Sequence, residues 1–340
     1  MRLLVTGGCG FIGTNFIYEM LARHADLTVV NCDKLTYAGN RANLAPLEAR
    51  GDGRYHFVRA DIADPVAMAA VLRQYRVDAV VNFAAESHVD RSIADPEPFI
   101  ATNVRGAQNL VHCAMQAGVG RYVHVSTDEV YGSLGPNDPA FTEATPLDPS
   151  SPYSASKAAA DLIVGAYWKT YGYPAVITRC SNNYGPWQFP EKLIPLMISR
   201  ARRGESLPLY GDGTNVRDWI YVTDHCRGVE LALFKGRPGA VYNFGGGAEL
   251  PNIEVVRTIL AALGRPESLI SFVADRPGHD RRYAMDHSLA ARELGFAPQY
   301  DFARGIERTL AWYADNQDWV EAIRSGEYRR FMDSWYKDRS

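Results

Sequence analysis

Two groups of side chains in this sequence could carry acid–base chemistry in one site. The first is Thr-Asp-Glu at 127–129, which directly follows an apolar run at 122–125 with the composition of a buried strand. The second is Tyr153 with Lys157, four residues further on. A carboxylic acid beside a carboxylate can protonate a leaving hydroxyl and remove a carbon-bound proton. The combination predicts the elimination of water from a sugar, which a simple alcohol dehydrogenase would not require.

The neighbouring carboxyl groups Asp128 and Glu129 are suited to act as an acid and a base. Two carboxylates this close repel each other, and the repulsion can hold one proton on the pair near neutral pH. The alternative interpretation is an ordinary pair of loop carboxylates at the end of a strand.

Tyr153 and Lys157 lie on one face of a predicted helix, because residues four apart are neighbours on a helix surface. Ser151 can cap that helix and Pro152 suits its first turn. A phenol has a pKa of about 10, too high for a base at neutral pH, but an ammonium group nearby favours the phenolate, as does an oxidised nicotinamide ring. Tyr153 can then take the proton of a sugar hydroxyl. The alternative is a surface tyrosine beside a solvated lysine.

A glycine-rich turn near the N-terminus indicates a dinucleotide cofactor. The spacing Gly7-x-x-Gly10-x-x-Gly13 follows a predicted strand at 2–6 and opens a helix. Such glycines allow a tight turn, close approach of a pyrophosphate and close packing of helix on strand. Asp33 stands twenty residues after Gly13, where a carboxylate binds ribose hydroxyls and repels a 2′-phosphate, so we expect NAD rather than NADP. A purely structural turn, with Asp33 as a turn residue, is the alternative.

Two further segments are placed to contact this cofactor. Asp61 and Ile62 follow the third predicted strand and are expected near the adenine. Ala84, Ala85 and Ser87 follow the fourth strand and supply the small side chains that a wall beside the nicotinamide needs. Both expectations rest on the rule that ligands bind beyond the carboxyl ends of parallel strands.

The order of the predicted elements indicates the fold class. Short apolar strands alternate with amphipathic helices, which predicts an α/β fold with a Rossmann-type doubly wound parallel sheet. Beyond about residue 181 glycine and proline become frequent and the elements shorter, which predicts a smaller mixed α/β substrate-binding domain. The domains are therefore placed at 1–180 for NAD and mostly at 181–340 for the substrate, with segments able to exchange between them. The predicted strands are 2–6, 27–32, 55–60, 79–82, 122–125 and 175–179, and the predicted helices include 64–75 and 96–117.

The composition excludes several classes of protein. Among 340 residues the net charge is -3, from 36 basic and 39 acidic side chains, so nothing indicates binding to nucleic acid or to a membrane surface. The N-terminus enters a strand at once, leaving no room for a secretory signal, and no apolar run approaches the roughly 20 residues of a membrane span. The 5 cysteines are scattered and the 8 histidines dispersed, so no metal site is expected and the predicted compartment is the cytoplasm.

These features resemble the extended short-chain dehydrogenase/reductase family, and within it the dTDP-glucose 4,6-dehydratases, along nearly the whole chain. The Tyr-x-x-x-Lys pair is common to the superfamily. Thr-Asp-Glu together with AAESHVDRS at 84–92 is specific to a narrow group. The other matching stretches are 33–40, 126–132 (STDEVYG), 150–157 (SSPYSASK), 180–186 (CSNNYGP), 189–195 (FPEKLIP) and 274–283 (ADRPGHDRRY).

The resemblance implies a redox-neutral reaction. Tyr153 would deprotonate the glucose 4-hydroxyl, with Thr127 hydrogen-bonded near the same oxygen, while hydride moves from C4 to NAD+. The resulting 4-ketone acidifies the C5 proton, which Glu129 would remove. Protonated Asp128 would donate to the departing C6 hydroxyl, the hydride would return to C6, and a proton would return to C5.

The resemblance also implies contacts to both ligands. Arginine suits the diphosphate of dTDP-glucose, because its planar fork binds phosphate oxygens bidentately. Further cofactor contacts are implied for Phe11, Ile12, Lys34, Leu35, Thr36, Phe83, Thr102 and Asn183, beside Tyr153 and Lys157. Contacts to the sugar nucleotide are implied for Ser87, His88, Thr127, Asn182, Lys192, Leu193, Pro208, Leu209, Tyr210, Arg217, Asn252, Asp275, Arg276 and His279. Thymidine and uridine differ by a methyl group worth about 1–3 kcal/mol, so the choice of nucleoside stays open.

Other functions remain as alternatives. A UDP-glucose 4,6-dehydratase would differ only in its nucleoside. A UDP-hexose 4-epimerase or a UDP-glucuronate decarboxylase would keep Tyr153 and Lys157 without needing both acids. A non-catalytic NAD-sensing protein would usually lose the tyrosine or the lysine.

A homodimer is expected from the helices at 96–117 and 153–171. Two such helices from each subunit would form a four-helix interface. The alternative is that their extra apolar residues face the sheet. Those residues are Leu162, Ile163, Tyr167 and Trp168.

Overall fold

A computed structural model describes residues 1–324, so the end of the second predicted domain, 325–340, lies outside the described residues. Seven strands of this part form one parallel sheet, in the order β10-β6-β5-β4-β1-β2-β3 with the labels given next. The strands are β1 (Arg2–Thr6), β2 (Thr28–Asp33), β3 (Tyr55–Arg59), β4 (Ala79–Asn82), β5 (Arg121–Thr127), β6 (Ala175–Cys180), β7 (Asn182–Tyr184), β8 (Leu207–Tyr210), β9 (Val216–Tyr221), β10 (Val241–Phe244), β11 (Glu249–Pro251) and β12 (Ile270–Val273). The Rossmann-type sheet predicted from the sequence is confirmed.

Some of the helices cover both faces of this sheet, and others surround a smaller unit. They are α1 (Phe11–Arg23), α2 (Ala45–Arg50), α3 (Pro65–Tyr75), α4 (Val89–Ala94), α5 (Glu97–Phe99), α6 (Ala107–Gln116), α7 (Pro152–Tyr171), α8 (Leu193–Arg203), α9 (Val222–Lys235), α10 (Asn252–Ala262), α11 (Ser288–Leu294), α12 (Phe302–Asp315) and α13 (Gln317–Arg324). Short 3₁₀ turns lie at Arg41–Leu44, Asp128–Tyr131 and Glu267–Leu269. Within residues 1–324 no helix combines the length and apolarity that crossing a membrane requires.

The helical segment predicted at 96–117 is present, but it is not a uniform α-helix. The structure divides it into α5, a π-helical segment at Ile100–Gly106, and α6. The wide turn contains Asn103, whose side chain binds the backbone of Glu86 and the hydroxyl of Ser156. Asn103 makes these contacts with parts of the chain outside the helix. The spacing of apolar residues along the helix therefore could not reveal the change from α-helix to π-helix.

Two apolar layers fill the space between the sheet and its helices. Phe16, Ile17 and Met20 of α1 pack on one face together with apolar residues of α9. On the other face α3, α6 and α7 bury residues such as Leu110 and Val164. Strands covered on both sides read as continuous apolar runs, which explains why β1, β4 and β5 were recognisable in the sequence.

The second half of the chain does not stay apart from the first. Its strand β10 is the edge of the large sheet, where Val241 pairs with Ile177, and α9 packs on the same sheet. The remaining elements form a smaller unit, with a mixed sheet β11-β9-β7, a parallel pair β12-β8, and helices α8, α10, α12 and α13 around a separate apolar cluster. The chain after residue 181 therefore contributes to both units.

Candidate active site

One cleft lies beyond the carboxyl ends of the large sheet, where the strand order reverses between β1 and β4. It brings the acid pair, the Tyr–Lys pair and the glycine-rich turn into one place. The predicted residues that line it are Gly7, Gly10, Phe11, Ile12, Gly13, Asp33, Lys34, Thr36, Ile62, Phe83, Ala84, Ala85, Ser87, Thr102, Thr127, Asp128, Glu129, Tyr153, Lys157, Asn182, Asn183 and Lys192. Those that do not line it are Leu35, Asp61, His88, Leu193, Pro208, Leu209, Tyr210, Arg217, Asn252, Asp275, Arg276 and His279.

The glycine-rich turn forms a cradle that larger residues would fill. Gly7 has φ +70, and a Cβ there would meet the backbone of Ala84 at 2.6 Å. A Cβ on Gly13 would meet the carbonyl oxygen of Gly7 at 2.5 Å, so helix α1 packs directly on the turn. The N-terminus of α1 at Gly10 has no side-chain cap, which leaves backbone N–H groups for an anion. The turn therefore fits the pyrophosphate of a dinucleotide.

Asp33 holds the end of β2 against this turn. Its carboxylate accepts hydrogen bonds from the backbone N–H groups of Cys9 at 3.0 Å and Leu35 at 2.8 Å. Burial raises the pKa of Asp33, while these two hydrogen bonds act in the opposite direction. Leu35 itself has φ 60 and packs against the apolar core, so it shapes the loop rather than lining the cleft.

Lys34 is the centre of a polar group on the same side. Its ammonium group donates to the hydroxyl of Thr102 at 2.6 Å and lies 3.8 Å from Asp61 and 3.7 Å from Glu86. Asp61 therefore contacts Lys34 and does not line the cleft, whereas its neighbour Ile62 does.

The two carboxyl groups after β5 occupy different environments. Asp128 is 2% exposed, and one of its oxygens accepts a hydrogen bond from Thr127 at 3.1 Å. Its other oxygen has no hydrogen-bond partner within residues 1–324. Burial, and then the charge of Glu129, raise the pKa of Asp128 well above its usual value, which favours its protonated form.

Glu129 is partly exposed in the cleft. Burial raises its pKa, but the cationic groups of Arg276, Arg217 and Lys192 oppose that effect. Of the two neighbouring acids, Glu129 is thus the one that ionises first. A protonated acid and an ionised one side by side can donate one proton and accept another.

Helix α7 presents Tyr153 and Lys157 to the same cleft. The hydroxyls of Ser151 and Ser154 form a capping box, and Pro152 occupies the first turn, as the sequence predicts. Lys157 donates from Nζ to the carbonyl oxygen of Val125 at 2.7 Å. The helix start is therefore anchored to β5, the strand that carries the acid pair.

The protein groups alone do not favour a phenolate at Tyr153. Burial, and then the charge of Glu129, raise the pKa of Tyr153 well above its usual value, while a hydrogen bond from Thr127 lowers it. Burial also lowers the pKa of Lys157. The expectation that Lys157 makes the phenol acidic thus needs a further positive charge in the cleft, since burial outweighs one ammonium group.

Arginine side chains from two distant segments approach the acid pair. Arg276 donates to Asp90 at 3.2 Å, and Tyr210 donates to the other oxygen of Asp90 at 3.0 Å. Arg217 donates to the carbonyl oxygen of Asp280 at 3.0 Å, and its guanidinium lies 4.2 Å from the ring centre of Tyr283. Both arginines are near enough to Glu129 to affect its pKa.

Some predicted substrate contacts lie elsewhere. The side chain of Leu209 is buried in the apolar core of the smaller unit, and Leu193 packs against that core. His279 contacts Asp275 and lies edge-on to Tyr210 with ring centres 6.0 Å apart. Burial lowers the pKa of His279 to about 4.

Three unpaired polar atoms indicate where a polar ligand fits. Among residues 1–324 the side-chain oxygens of Asn182 and Asn252 and the Nε of Arg276 are buried without a hydrogen-bond partner. Buried polar groups are normally paired, so such atoms are expected to bind a ligand or water.

Two other predicted substrate contacts are paired within the protein. His88 lies 3.6 Å from Glu191, and Lys192 donates to the carbonyl oxygen of Ser87 at 2.8 Å.

Sequence reasoning missed several charged residues of this site. Glu86 and Glu191 line the cleft, and burial raises the pKa of Glu191 to about 7. Asp90 joins Arg276 to Tyr210, as described above. All three lie inside the stretches that carry the resemblance, at 84–92 and 189–195, and that position was the available signal. Within residues 1–324 no group of three or more histidine, cysteine, aspartate or glutamate side chains could hold a metal ion.

The comparisons with known proteins agree with this geometry. The family model for GDP-mannose 4,6 dehydratase matches residues 4–309. The dTDP-glucose 4,6-dehydratase of Xanthomonas campestris pv. campestris is 52% identical, over 96% of this chain and 97% of that protein. A dTDP-glucose 4,6-dehydratase of Streptomyces venezuelae, solved with NAD and dTDP bound, is 54% identical with a TM-score of 0.91, covering 95% of this chain and 100% of that one.

A structure of another activity is similar at lower identity. The UDP-glucose 4-epimerase of Thermus thermophilus, solved with NAD, is 32% identical with a TM-score of 0.85, covering 93% of this chain and 100% of that one. The fold alone therefore does not separate the two activities, whereas the acid pair after β5 is the feature expected of a dehydratase. On the extent of the family match and of the identity, the chain belongs to the GDP-mannose 4,6-dehydratase family of nucleotide-sugar dehydratases.

Proposed function

We propose that the protein converts dTDP-glucose to dTDP-4-keto-6-deoxy-glucose and water, with NAD as a recycled cofactor. The observation that carries this function is the pairing of a buried, protonated Asp128 with a partly exposed Glu129, in the cleft that also contains Tyr153. Oxidation alone needs only the tyrosine and a cofactor. Elimination of water needs an acid and a base as well.

The residues of the cofactor end fit NAD. The glycine-rich turn would hold the pyrophosphate, and the Asp33 carboxylate is placed for the ribose hydroxyls, although it is also engaged with Cys9 and Leu35. When bound, NAD would supply the hydride acceptor for C4 and the hydride donor for C6, and its positive ring would add the charge that favours a phenolate at Tyr153.

Tyr153 takes the proton of the sugar 4-hydroxyl, and Thr127 hydrogen-bonds near the same oxygen. Lys157 stabilises the phenolate with its charge, and its hydrogen bond to Val125 fixes it against β5. The ketone that results at C4 acidifies the proton on C5.

The acid pair then performs the elimination. Glu129 removes the C5 proton, because it is the acid of the pair that ionises first. Asp128 donates its proton to the C6 hydroxyl, which leaves as water. When hydride returns to C6, a proton returns to C5, which completes the 4-keto-6-deoxy sugar. Burial supports this division, since the more buried carboxyl is the one that keeps its proton.

The diphosphate is bound by cationic groups on the substrate side. Arg217 and Arg276 approach from β9 and from the 274–283 loop, and Lys192 precedes α8. The buried, unpaired oxygens of Asn182 and Asn252 accept hydrogen bonds from the substrate.

The protein forms a homodimer through α7 and the segment 97–116, as the sequence predicts. Apolar side chains on these elements remain exposed in the single chain: Leu162 is 66% exposed, Tyr171 61% and Ile100 48%. Tyr167 instead packs in the core, so the alternative that these residues face the sheet applies to part of the set. Equilibrium sedimentation tests the proposal: Leu162→Glu yields monomers, and an unchanged oligomer would contradict it.

The cytoplasm is the proposed compartment. All 5 cysteines are buried and unpaired, as in proteins that work in a reducing environment.

The function is tested with purified protein and dTDP-glucose deuterated at C4, without added NAD. The expected product has lost one water and carries deuterium on its new methyl group. Deuterium lost to solvent, or absent from the methyl group, would contradict the mechanism. Parallel reactions test the alternatives. Dehydration of UDP-glucose would indicate a preference for uridine, and turnover of UDP-galactose would indicate an epimerase.

A further inference from the structure

A row of buried polar side chains crosses the sheet beneath helix α7. Thr6, Asn82, His124 and Arg179 come from β1, β4, β5 and β6, and none of them is more than 5% exposed. They sit one or two residues before the cleft, on the face that α6 and α7 cover. Asp161 of α7 meets this row and is 3% exposed.

The first part of the row determines which nitrogen of His124 carries the proton. The hydroxyl of Thr6 donates to the side-chain oxygen of Asn82 at 2.6 Å, so the Asn82 amide donates to Nδ1 of His124 at 3.2 Å. This assignment leaves the proton of a neutral imidazole on Nε2, which lies 3.8 Å from Asp161. Burial, followed by the charges of Lys157 and Arg179, lowers the pKa of His124 well below its usual value, so His124 adds no positive charge.

The second part of the row holds Asp161 in place. Arg179 donates from Nε to Asp161 at 2.8 Å and from Nη1 to the hydroxyl of Tyr131, also at 2.8 Å. That hydroxyl donates to Asn243 of β10 at 2.8 Å. The guanidinium therefore contacts α7 and the turn after β5 directly, and β10 through Tyr131, and these contacts hold Asp161 in place.

Asp161 stands one helical turn after Lys157. Within residues 1–324 no carboxylate oxygen lies within 4.0 Å of the Lys157 ammonium group, and Asp161 is the principal charge that opposes its deprotonation. The other groups facing this region are Ser126 and His124 of β5, Cys180 and Arg179 of β6, and Tyr131 of the turn after β5. From the π-helical segment, Asn103 binds Ser156 and carries no charge.

We propose that Asp161, locked by Arg179, is a positioning residue whose negative charge keeps Lys157 in its charged form beside Tyr153. Two buried cations and one buried anion share this space. An arginine keeps its proton in proteins, so loss of the anion would be relieved by deprotonation of Lys157. This inference rests on the proposed roles of Tyr153 and Lys157.

The test is the pH dependence of the first oxidation, followed as reduced cofactor formed in a single turnover with dTDP-glucose. Asp161→Asn keeps the shape of the side chain and removes its charge. We expect the acid limb of the rate profile to move upward by about one pH unit, so the rate on that limb falls about tenfold while the rate at high pH recovers. A neutral Lys157 no longer favours the phenolate, and Tyr153 then needs a higher pH to lose its proton.

Arg179→Lys is the matched variant. It keeps a cation beside Asp161, so Asp161 stays charged and the acid limb stays in place. Asp161→Ser also removes the charge and should give the same upward shift, and it replaces Asp161→Asn if that variant does not fold.

Outcomes separate this role from a structural one. If Asp161→Asn and Asp161→Ser lower stability or turnover without moving the acid limb, the proposal is overturned. A shift of equal size in Arg179→Lys would also overturn it. Absence of any turnover in the unmodified protein would instead contradict the proposed function, so the two failures are distinguishable.

Discussion

The cofactor end and the substrate end of the cleft are built in different ways. At the cofactor end, backbone groups and small side chains directly follow β1, β2 and β4, which are adjacent strands of one sheet. At the substrate end, long charged side chains such as Arg276 and Asp90 meet from segments 186 residues apart. The acid pair and Tyr153 lie between the two. The cofactor end is thus formed at the ends of adjacent strands, whereas the substrate end forms only when the two units pack together.

The largest expected effect falls between the two ends, at Tyr153. Tyr153→Phe removes the base and should lower turnover about 10²–10⁴-fold, with NAD still bound, because the ring keeps its packing against Phe99. Transient formation of reduced cofactor on mixing with dTDP-glucose measures the step. Tyr75→Phe, at the end of α3, is the control and should behave as the unmodified protein. Normal transient reduction in Tyr153→Phe would remove the tyrosine from the mechanism.

Asp128→Asn should slow product formation by about a hundredfold, since the amide cannot donate a proton to the leaving hydroxyl. The pH dependence of turnover tests whether Asp128 acts in its protonated form. Asp128 works protonated, so turnover in the unmodified protein falls as the pH rises through its raised pKa. The variant should lose that alkaline limb.

Glu129→Gln is the partner experiment to Asp128→Asn. It should retain the alkaline limb and lose exchange of the C5 proton with deuterated solvent, measured by mass spectrometry. If the C5 proton exchanged equally fast in Glu129→Gln and in the unmodified protein, Glu129 would not be the base, and the roles of the two acids would have to be exchanged.

Arg276→Met tests the substrate end. The loss of charge-assisted hydrogen bonds to the diphosphate should raise KM for dTDP-glucose about 10–100-fold, with NAD affinity unchanged. Arg281→Met, an exposed arginine on the same loop, is the control. A loss of NAD rather than of substrate affinity would mean that the two ends are not separate.

Asp33→Asn tests the cofactor end in the same way. NAD affinity, measured by calorimetry on protein stripped of cofactor, should fall about tenfold while KM for dTDP-glucose stays the same. Asp26→Asn, an exposed aspartate just before β2, should change neither quantity. A change confined to KM for the sugar nucleotide would contradict the assignment.

The smallest effect is expected at the cap of α7. Ser151→Ala should lower the free energy of unfolding by about 1 kcal/mol in urea denaturation, because a backbone N–H loses its partner. Asp64→Ala removes the equivalent cap of α3, away from the acid pair, and should cost a similar amount without affecting turnover. A selective loss of turnover in Ser151→Ala would show that the cap also orients Tyr153.

Local pattern was enough to predict the cofactor end and the acid pair. The spacing Gly7-x-x-Gly10-x-x-Gly13 records a backbone requirement within seven residues, and the strand ends after β2 and β5 follow from short apolar runs. The π-helical turn around Asn103, by contrast, depends on contacts with Glu86 and Ser156, which no period of the local sequence encodes.

By itself the sequence determined the strands of the parallel sheet and the glycine-rich turn, and it predicted the acid–base residues, because these patterns lie in short stretches of the chain. Tertiary structure decided how the environments of the two acids differ, since only burial and the approach of Arg217 and Arg276 distinguish Asp128 from Glu129. It also decided that β10 completes the large sheet and that Arg179 meets Asp161 one helical turn after Lys157. Desolvation and charge depend on what surrounds a group in space, and the order of residues does not specify those surroundings.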